Sequence, residues 1–302
     1  MQNQQETKAS QWTILKLLKW TTSYFKSHNI DHPRAAAEIL LSKTLKLDRI
    51  DLYLRYDQPL CTEELNFFKG FIKRRVNREP VAYIVGVKEF WAMDFSVTRD
   101  VLIPRPETEC LVEAALSILP EASCQGPTRI LELGTGSGAV ILALTSRRPG
   151  HFFFASDRST KAVELARENV KRYELNREIH FFSGKWFQPL KEGSVQFDMI
   201  ISNPPYIPTR VIPLLEPEIY KYEPVIALDG GEDGLDSIRH IIRHAHRYLN
   251  PRGSLLIEID HGQKDAVERI IGVCGQYEKV VFIKDYSGYN RVVQMEKRAG
   301  KK

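Results

Sequence analysis

The sequence predicts an α/β protein in which a small helical bundle precedes a parallel sheet with helices on both faces. From residue 128 onward, short apolar runs alternate with longer helical segments, which is typical of the strands and helices of such a sheet. The first 80 residues carry the capping and charge patterns of helices instead. A chain of 302 residues with 43% hydrophobic content can bury a full core, and its length suggests two domains.

Residues 1–80 are predicted to form the helical bundle. Ser10 is a candidate N-cap for the first helix, and Pro33 opens a second helix. A short third helix is expected over residues 49–56. The fourth begins at Thr62, with glutamates in its first turn and basic residues near its last turn, as the helix dipole favours.

The net charge of +5 is confined to this bundle. Residues 1–80 hold 14 Lys and Arg against 9 Asp and Glu, whereas the remaining residues hold 29 of each. A mildly basic accessory domain suits an acidic partner surface or RNA, and it equally suits solvated helix faces. Trp12 and Trp20 are expected to pack in the core or between helices rather than to form a binding feature.

Residues 81–108 are predicted to link the two domains. Alternating apolar residues from Val81 onward, several of them β-branched, predict strands that include a β-hairpin. The linker ends in Ile-Pro-Arg-Pro-Glu-Thr-Glu, residues 103–109, where two prolines favour an extended backbone. Thr108 is placed to cap a helix over residues 111–119, so this stiff segment either walls the active site or only leads into the helix.

The second domain, residues 109–302, opens on a strand and a glycine-rich turn. A buried strand is predicted over residues 130–133, and Gly134-Thr135-Gly136-Ser137-Gly138 connects it to a helix over residues 139–146. Glycine allows the backbone to approach a ligand closely where a Cβ would collide. Because no Lys-Ser or Lys-Thr pair follows the glycines, the turn is not expected to bind phosphate.

An acidic residue follows the next predicted strand, residues 152–155. Asp157 lies 23 residues after Gly134. An acid at the end of the second strand of a β-α-β unit is placed to accept hydrogen bonds from ribose hydroxyls. The turn and the acid together therefore favour a ribose-containing ligand.

Asn203-Pro204-Pro205-Tyr206 follows a predicted buried strand that contains residues 199–201. The prolines have a fixed φ and no N–H group, so the loop offers acceptors in a rigid frame. A nitrogen that attacks a methyl sulfonium becomes positively charged, and the Asn203 side-chain oxygen and the Pro204 carbonyl would stabilise that charge without a general base. Tyr206 offers a flat apolar face to a planar group and helps to exclude water. The alternative is a proline-rich turn that merely closes the strand.

The remaining elements continue the alternation. Helices are predicted over residues 162–172, 235–249 and 266–273, and strands over residues 179–182, 254–259, 280–283 and 291–295. The last two strands leave no room for a helix between them, so the last strand is expected to enter antiparallel. Seven strands in this arrangement are the shape of a class I, Rossmann-like methyltransferase domain.

Taken together, these motifs resemble S-adenosylmethionine-dependent methyltransferases. The segments 103–109 and 222–228, with Asp285-Tyr286 and Asn290-Arg291, extend the resemblance to the HemK/PrmC family over roughly residues 10–295. Members of that family are N5-glutamine methyltransferases that act on the Gly-Gly-Gln motif of peptide chain release factors. Their helical N-terminal domain holds the protein substrate, which the resemblance implies for residues 1–80 of this chain.

The resemblance also implies roles for the site residues. Residues 134–138 would surround the methionine part of S-adenosylmethionine, Asp157 would bind its ribose, and Trp186 would lie against its adenine. Asn203 would contact the cofactor and, with Pro204, orient the glutamine amide. Pro205 and Tyr206 would complete the substrate site, with Tyr206 packed on the amide.

One segment departs from the family pattern. Family members often carry Ser-Asp-Trp-Phe after the third strand, where this chain has Ser-Gly-Lys-Trp-Phe at residues 183–187. Lys185 cannot accept a hydrogen bond from the adenine amino group, so another acceptor, such as a backbone group, is needed there.

Other functions share part of this motif pattern with release-factor methylation. An N6-adenine methyltransferase for DNA or RNA uses a related Asn- or Asp-Pro-Pro-aromatic loop, but it must flip its base and usually needs a sizeable recognition surface. A ribosomal-protein glutamine methyltransferase is a close variant. A binding protein without catalysis is disfavoured because the glycine turn, Asp157 and Asn203 are all present.

Several observations bound the remaining possibilities. The four cysteines form no Cys-x-x-Cys pair, no signal pattern begins the chain, and no apolar run could span a bilayer. These observations predict a cytoplasmic protein that does not bind a membrane. We also expect a monomer that does not bind DNA directly. His240, His244 and His246 are expected on a solvated helix face rather than at a metal, and no metal site is predicted. Glu258 and His261 resemble a family segment but receive no role.

Overall fold

The computed structural model describes residues 12–122, 126–175, 178–193 and 195–299. The chain divides into two compact units, with the division between Gly86 and Val87. The helices of the first unit are α1 (Ile14–Ser27), α2 (Pro33–Leu45), α3 (Asp51–Leu54), α4 (Thr62–Val76) and α5 (Val81–Val85). Their inward faces form one core that contains Ile14, Phe25, Leu40 and Phe68.

Helix α1 is capped by Thr13, whose hydroxyl accepts from the Lys16 N–H group at 3.4 Å. The predicted cap, Ser10, lies outside the described residues. The two tryptophans, which were expected in the core or between helices, do not lie in the core. Trp12 and Trp20 are 38% and 45% exposed, and their rings pack edge to face against each other at 6.1 Å.

The strand predicted from Val81 is also wrong, because residues 81–85 form helix α5. Pro80 starts this helix by accepting from the Ile84 N–H group, and Gly86 ends it with a positive φ of 77°. Tyr83 and Ile84 are both buried, although an alternating strand would send neighbours to opposite faces. The alternation of apolar residues therefore did not predict which residues of this short helix are buried.

The predicted β-hairpin is present. It consists of β1 (Val87–Phe90) and β2 (Met93–Ser96), which pair antiparallel. The hairpin belongs to the second unit, because Phe90 and Phe95 are buried in that unit's core and the Asn169 side chain accepts from the Ser96 N–H group at 2.7 Å. Beyond Ser96 the chain is irregular, and a 3-10 turn over Pro106–Thr108 leads into α6 (Glu109–Ile118).

The main sheet has seven strands in the spatial order β5-β4-β3-β6-β7-β9-β8. Its strands are β3 (Arg129–Leu133), β4 (Phe152–Asp157), β5 (Ile179–Ser183), β6 (Phe197–Ser202), β7 (Leu249–Glu258), β8 (Tyr277–Lys284) and β9 (Asn290–Lys297). The helices between them are α7 (Ala139–Arg147), α8 (Thr160–Arg172), α9 (Pro217–Tyr220), α10 (Asp236–Ala245) and α11 (Lys264–Cys274).

Strands β3 to β7 are parallel, and β9 runs antiparallel to both of its neighbours, which confirms the predicted entry of the last strand. The predicted helix over residues 235–249 is too long. Helix α10 ends at Ala245, and β7 begins at Leu249, where it pairs with Phe197 of β6. Pairing with β6 therefore places Leu249 in a strand, although the helical spacing of apolar residues had assigned it to the helix.

Alternate side chains of the strands fill two cores on opposite faces of the sheet. One core contains Ile130 and Ile201, and the other contains Leu131 and Ile200. This burial on both faces explains why the strands read as continuous apolar runs. In the described parts of the chain, no helix is long and apolar enough to cross a membrane.

Candidate active site

A cavity of about 690 Å³ lies at the carboxyl ends of β3, β4 and β6. The register pairs Leu133 with Ser156 on one side and with Ser202 on the other, so the residues that follow these strands meet at one edge. The strand order reverses here, which is where open α/β sheets bind ligands. The predicted site residues that line the cavity are Gly134, Thr135, Gly136, Ser137, Asp157, Trp186, Asn203 and Pro205.

The glycine turn is shaped by positive backbone angles. Gly134 and Gly136 have φ values of 74° and 56°, which residues other than glycine rarely adopt. The N–H groups of Gly134 and Thr135 both donate to the Ser156 carbonyl, at 2.8 and 2.9 Å. These bonds hold the turn against β4 and leave its outer surface open to the cavity.

Gly138 has a different role from its neighbours, because it is not among the residues that line the cavity. A Cβ at this position would lie 3.1 Å from Leu142 Cδ1 and 3.2 Å from Ala166 Cβ. The glycine therefore allows α7 to pack closely on α8. A direct contact between Gly138 and a cofactor stays a prediction.

Asp157 ends β4 and faces the cavity. Its Oδ2 accepts from the Gly136 N–H group at 3.0 Å, and its Oδ1 accepts from the Ser159 N–H group at 2.9 Å. Burial raises the pKa of Asp157, while these backbone hydrogen bonds lower it. Each carboxylate oxygen keeps a second lone pair, so the side chain can accept hydroxyl hydrogens from a ligand.

Glu132 is a site residue that sequence reasoning missed. It lines the cavity from β3, is 3% exposed, and accepts from the Thr135 hydroxyl at 2.5 Å. Burial raises its pKa to about 8, with a smaller contribution from the nearby Asp157 and against the opposing effect of the Thr135 hydrogen bond. A carboxyl group inside the apolar run Ile-Leu-Glu-Leu was the available signal, because an acid in a buried strand is costly unless it serves a polar site.

Trp186 and Lys185 line the cavity on the side of β5. Trp186 Cζ3 lies 3.9 Å from the position that a Cβ on Gly134 would occupy. His240 lines the same cavity, and burial together with the charges of His244 and Lys185 lowers its pKa. A neutral imidazole offers an acceptor nitrogen, which Lys185 does not.

The histidines in and directly after α10 are not on a solvated face as expected. His240, His244 and His246 are all half-buried, and the rings of His240 and His244 stack at 4.3 Å. Within the described residues, no group of three or more His, Cys, Asp or Glu side chains is arranged to hold a metal ion.

Asn203 follows β6 directly and lines the cavity. Its Nδ2 donates to the Thr108 hydroxyl at 3.1 Å, although the two residues are 95 positions apart in the sequence. Pro205 also lines the cavity, whereas Pro204 and Tyr206 are not among the lining residues. The structure thus brings Asn203 to the glycine turn and leaves the substrate roles of Pro204 and Tyr206 as predictions.

Tyr206 and Glu258 form a buried polar pair behind the Asn-Pro-Pro-Tyr loop. The Tyr206 hydroxyl donates to Glu258 Oε1 at 3.3 Å, and Glu258 is completely buried. Burial raises the pKa of Glu258 to about 7, while Thr108, Arg291 and Tyr206 lower it. Burial also raises the pKa of Tyr206, so this side chain stays neutral and donates its hydrogen.

Gln263 holds the backbone of the same loop. Its Nε2 donates to the carbonyls of Tyr206, at 3.1 Å, and Gly234, at 3.0 Å. Its Oε1 accepts from the Asp260 N–H group at 3.1 Å. A Cβ on Gly234 would lie only 2.4 Å from the Tyr206 carbonyl oxygen, so the glycine-rich loop at residues 229–234 packs tightly against the active-site loop.

The proline-rich segment at residues 103–109 forms one wall of the cavity through Pro104, Arg105 and Thr108. Arg105 forms an ion pair with Glu223 at 2.5 Å, and the other oxygen of Glu223 accepts from the Ile103 N–H group at 3.2 Å. Burial raises the pKa of Glu223, and the charge of Arg105 lowers it. Of the two interpretations left open for this segment, the wall is the one the structure supports.

Two protein families match the chain. Residues 16–86 match the PrmC N-terminal domain, and residues 112–212 match the methyltransferase small domain. The first match covers most of the helical unit, and the second covers the glycine turn and the Asn-Pro-Pro-Tyr loop.

Curated relatives are similar over nearly the whole chain. The chain is 42% identical over 287 residues to the release factor glutamine methyltransferase of Geobacter sulfurreducens, which covers 93% of this chain and 96% of the relative. It is 38% identical over 283 residues to the release factor glutamine methyltransferase of Caulobacter vibrioides, with the same coverage of 93% and 96%. The release factor glutamine methyltransferase of Thermodesulfovibrio yellowstonii is 41% identical over 261 residues, covering 86% and 91%.

Solved structures share the fold at lower sequence identity. A methyltransferase from Pyrococcus furiosus has a TM-score of 0.51 and 20% identity, covering 70% of this chain and 92% of that one. The human methyltransferase 10 domain containing protein has a TM-score of 0.52 and 15% identity, covering 70% and 90%. Both similarities concern the fold alone.

Proposed function

Because the chain belongs to the release factor glutamine methyltransferase family, we propose that it methylates the glutamine side-chain amide nitrogen (N5) in the Gly-Gly-Gln motif of peptide chain release factors, with S-adenosylmethionine as methyl donor. The observation that carries the proposal is the meeting of the glycine turn, Asp157 and Asn203 at one cavity. Relatives that are 38% to 42% identical and named for this activity favour it over N6-adenine or ribosomal-protein methylation.

The cavity fits S-adenosylmethionine in volume and in chemistry. Its volume of about 690 Å³ lies within the range of small-molecule sites, roughly 300–1,000 Å³. Asp157 would accept from the ribose hydroxyls, residues 134–138 would surround the methionine part, and Trp186 would offer an aromatic face to the adenine. Glu132 adds a buried carboxyl group, which would favour the cationic part of the molecule by giving up its proton when the cation binds. Bound there, S-adenosylmethionine supplies a methyl group activated by its sulfonium.

The protein's own contribution is to hold the substrate amide and to stabilise charge. The Asn203 side-chain oxygen and the Pro204 carbonyl would accept the two hydrogens of the glutamine amide, with its nitrogen facing the methyl group. As the nitrogen becomes positive, these fixed acceptors gain strength without reorganising. Holding the nitrogen in line with the methyl group supplies much of the remaining rate enhancement. Tyr206 and Pro205 would pack against the planar amide and exclude water.

The helical unit is proposed to dock the release factor. Its charge excess and its exposed aromatic residues suit a protein partner of complementary surface. We also propose that the enzyme acts as a monomer in the cytoplasm, where release factors work, and that it does not bind DNA directly.

The test is to incubate the protein with labelled S-adenosylmethionine and, separately, with release factor, DNA, RNA and ribosomal proteins. We expect label in the release factor alone, and peptide mass spectrometry should place one methyl group on the Gly-Gly-Gln glutamine. A release factor in which this glutamine is replaced by alanine is the matched control. Transfer to nucleic acid, or to the control release factor, would contradict the proposal.

A further inference from the structure

We propose that Thr108 is a positioning residue that orients the Asn203 side-chain amide so that its oxygen faces the substrate nitrogen. This inference rests on the proposed methyl transfer and assigns a task to a residue outside the Asn-Pro-Pro-Tyr loop. It starts from one contact: Asn203 Nδ2 donates to Thr108 Oγ1 at 3.1 Å.

The orientation matters because the two ends of an amide have similar size and opposite hydrogen-bonding character. With Nδ2 held by Thr108, the oxygen of Asn203 is the end left for another partner. A flipped amide would present its own hydrogens to the substrate nitrogen, where positive charge develops. The reaction therefore requires a device that selects one of the two orientations.

Glu258 explains why the Thr108 hydroxyl accepts rather than donates toward Asn203. The hydroxyl has one hydrogen, and the carboxyl group of Glu258 interacts with that hydroxyl. Glu258 is completely buried, and among the described residues its Oε2 has no hydrogen-bond partner. A carboxyl oxygen can accept the hydroxyl hydrogen in either protonation state of Glu258, which leaves a lone pair of Thr108 for the amide of Asn203.

Thr108 is also held firmly before any substrate arrives. It is 5% exposed and ends the 3-10 turn over Pro106–Thr108, in which its N–H group donates to the Arg105 carbonyl at 3.1 Å. Arg105 is in turn fixed by its ion pair with Glu223. Because this framework is built from the wall of the cavity, the amide orientation is set in advance.

The first experiment compares T108V with T108S in the full-length chain. Valine has the shape of threonine without the hydroxyl, whereas serine keeps the hydroxyl. We expect T108V to lower the single-turnover methylation rate roughly tenfold, the scale of one lost hydrogen bond of about 1.4 kcal/mol, and T108S to restore it to within a few fold. The affinity for S-adenosylhomocysteine, measured by calorimetry, should be unchanged in both.

A buried threonine away from the cavity provides the matched control. Thr145 is completely buried in α7, and its hydroxyl donates to the Ile141 carbonyl at 2.7 Å. T145V also removes a buried hydroxyl, so its thermal unfolding midpoint shows what that loss does to folding alone. Its methylation rate should stay within about twofold of the parent rate.

The second experiment separates orientation from general structural support. In the N203A background there is no amide to orient, so T108V should cause no further loss of rate. Losses that multiply in the double variant, or a T108S rate as low as that of T108V, would overturn the role of Thr108. A parent protein that does not methylate release factor would overturn both the proposed function and this inference, whereas an active parent with a fully active T108V overturns the inference alone.

Discussion

Asn203 carries the largest part of the proposed chemistry, because its side-chain oxygen acts mainly on the charged transition state. The position of Asn203 and of its loop depends on contacts with residues elsewhere in the chain. Thr108 holds its amide, and Gln263 holds the carbonyl of Tyr206 in the same loop. Local sequence indicated the loop, but the partners that hold it come from distant parts of the chain.

Replacing Asn203 by alanine should reduce methyl transfer to a small residual rate and leave cofactor binding largely intact. The variant removes one charge-stabilising acceptor, a loss on the order of 10²–10³-fold in rate. Single-turnover kinetics with release factor and calorimetry with S-adenosylhomocysteine measure the two effects. Turnover within a few fold of the parent would refute the role of Asn203.

The raised pKa of Glu258 predicts how the stability of the protein changes with pH. Burial raises its pKa from 4.5 to about 7, so the folded protein holds this proton more tightly than the unfolded chain does. The free energy of unfolding should therefore fall as pH rises from about 4.5 to about 7, by up to about 1.4 kcal/mol per pH unit from this group. The groups that face it are Tyr206, Arg291, Glu107, Thr108 and Cys110.

Glu258→Gln removes this titration and should flatten the pH dependence of unfolding in urea between pH 4.5 and 7. Cys110 does not interfere, because burial raises its pKa to about 11. Glu132, with a pKa of about 8, keeps its own contribution in both proteins. An unchanged slope in the variant would show that Glu258 ionises normally in the folded state.

At the scale of elements, the segment at residues 103–109 is the clearest example of a loop that tertiary contacts turn into a wall. Its two prolines limit its backbone, but its position depends on Glu223, which binds both Arg105 and the Ile103 N–H group. Glu223 and Ile103 are 120 positions apart in the sequence. Only the fold brings these two segments to the same side of the cavity.

Glu223→Ala should loosen this wall. It leaves Arg105 and the Ile103 N–H group without their carboxylate partner, and we expect the free energy of unfolding to fall by about 1–3 kcal/mol. The KM for S-adenosylmethionine should rise, because Arg105 lines the cavity. Urea unfolding and steady-state kinetics measure both.

The matched control is Glu192→Ala, which removes the exposed partner of Arg247, 3.5 Å away. An exposed pair of this kind contributes about 0–1 kcal/mol, so stability and KM should barely change. Equal effects in the Glu192 and Glu223 variants would argue against a structural role for the wall.

At the scale of the whole molecule, the chain combines a helical unit with a catalytic unit that contains every residue of the cavity. The helical unit has its own apolar core, so its contribution to the reaction is separable in principle from cofactor binding. Trp12, Trp20 and Tyr24 pack on one another at its surface, with Trp20 and Tyr24 stacked at 4.9 Å.

Deleting residues 1–86 should raise the KM for release factor by at least about tenfold and change the affinity for S-adenosylhomocysteine by less than about twofold. The reason is that the proposed docking surface is lost, while the cavity is formed by residues 100–240. Calorimetry on the shortened chain checks first that its cofactor site is intact. Equal losses in both quantities would count against a docking role.

The sequence by itself determined the kinds of elements and the main motifs. Periodic apolar residues, glycines and prolines act over a few neighbouring positions, so the strands of the sheet, the hairpin, the glycine turn and the Asn-Pro-Pro-Tyr loop were all predictable. Errors arose where packing overrode local pattern, as in α5 and at the end of α10.

Only the tertiary structure decided which side chains support the site. Thr108, Glu223, Glu258 and Gln263 act through hydrogen bonds to residues far away in the chain. Such bonds depend on the strand order and on burial, which leave no periodic trace in the sequence. The pKa values of Glu132 and Glu258 also depend on the tertiary structure. The surrounding protein desolvates both carboxyl groups and raises their pKa values, and no local motif encodes this burial.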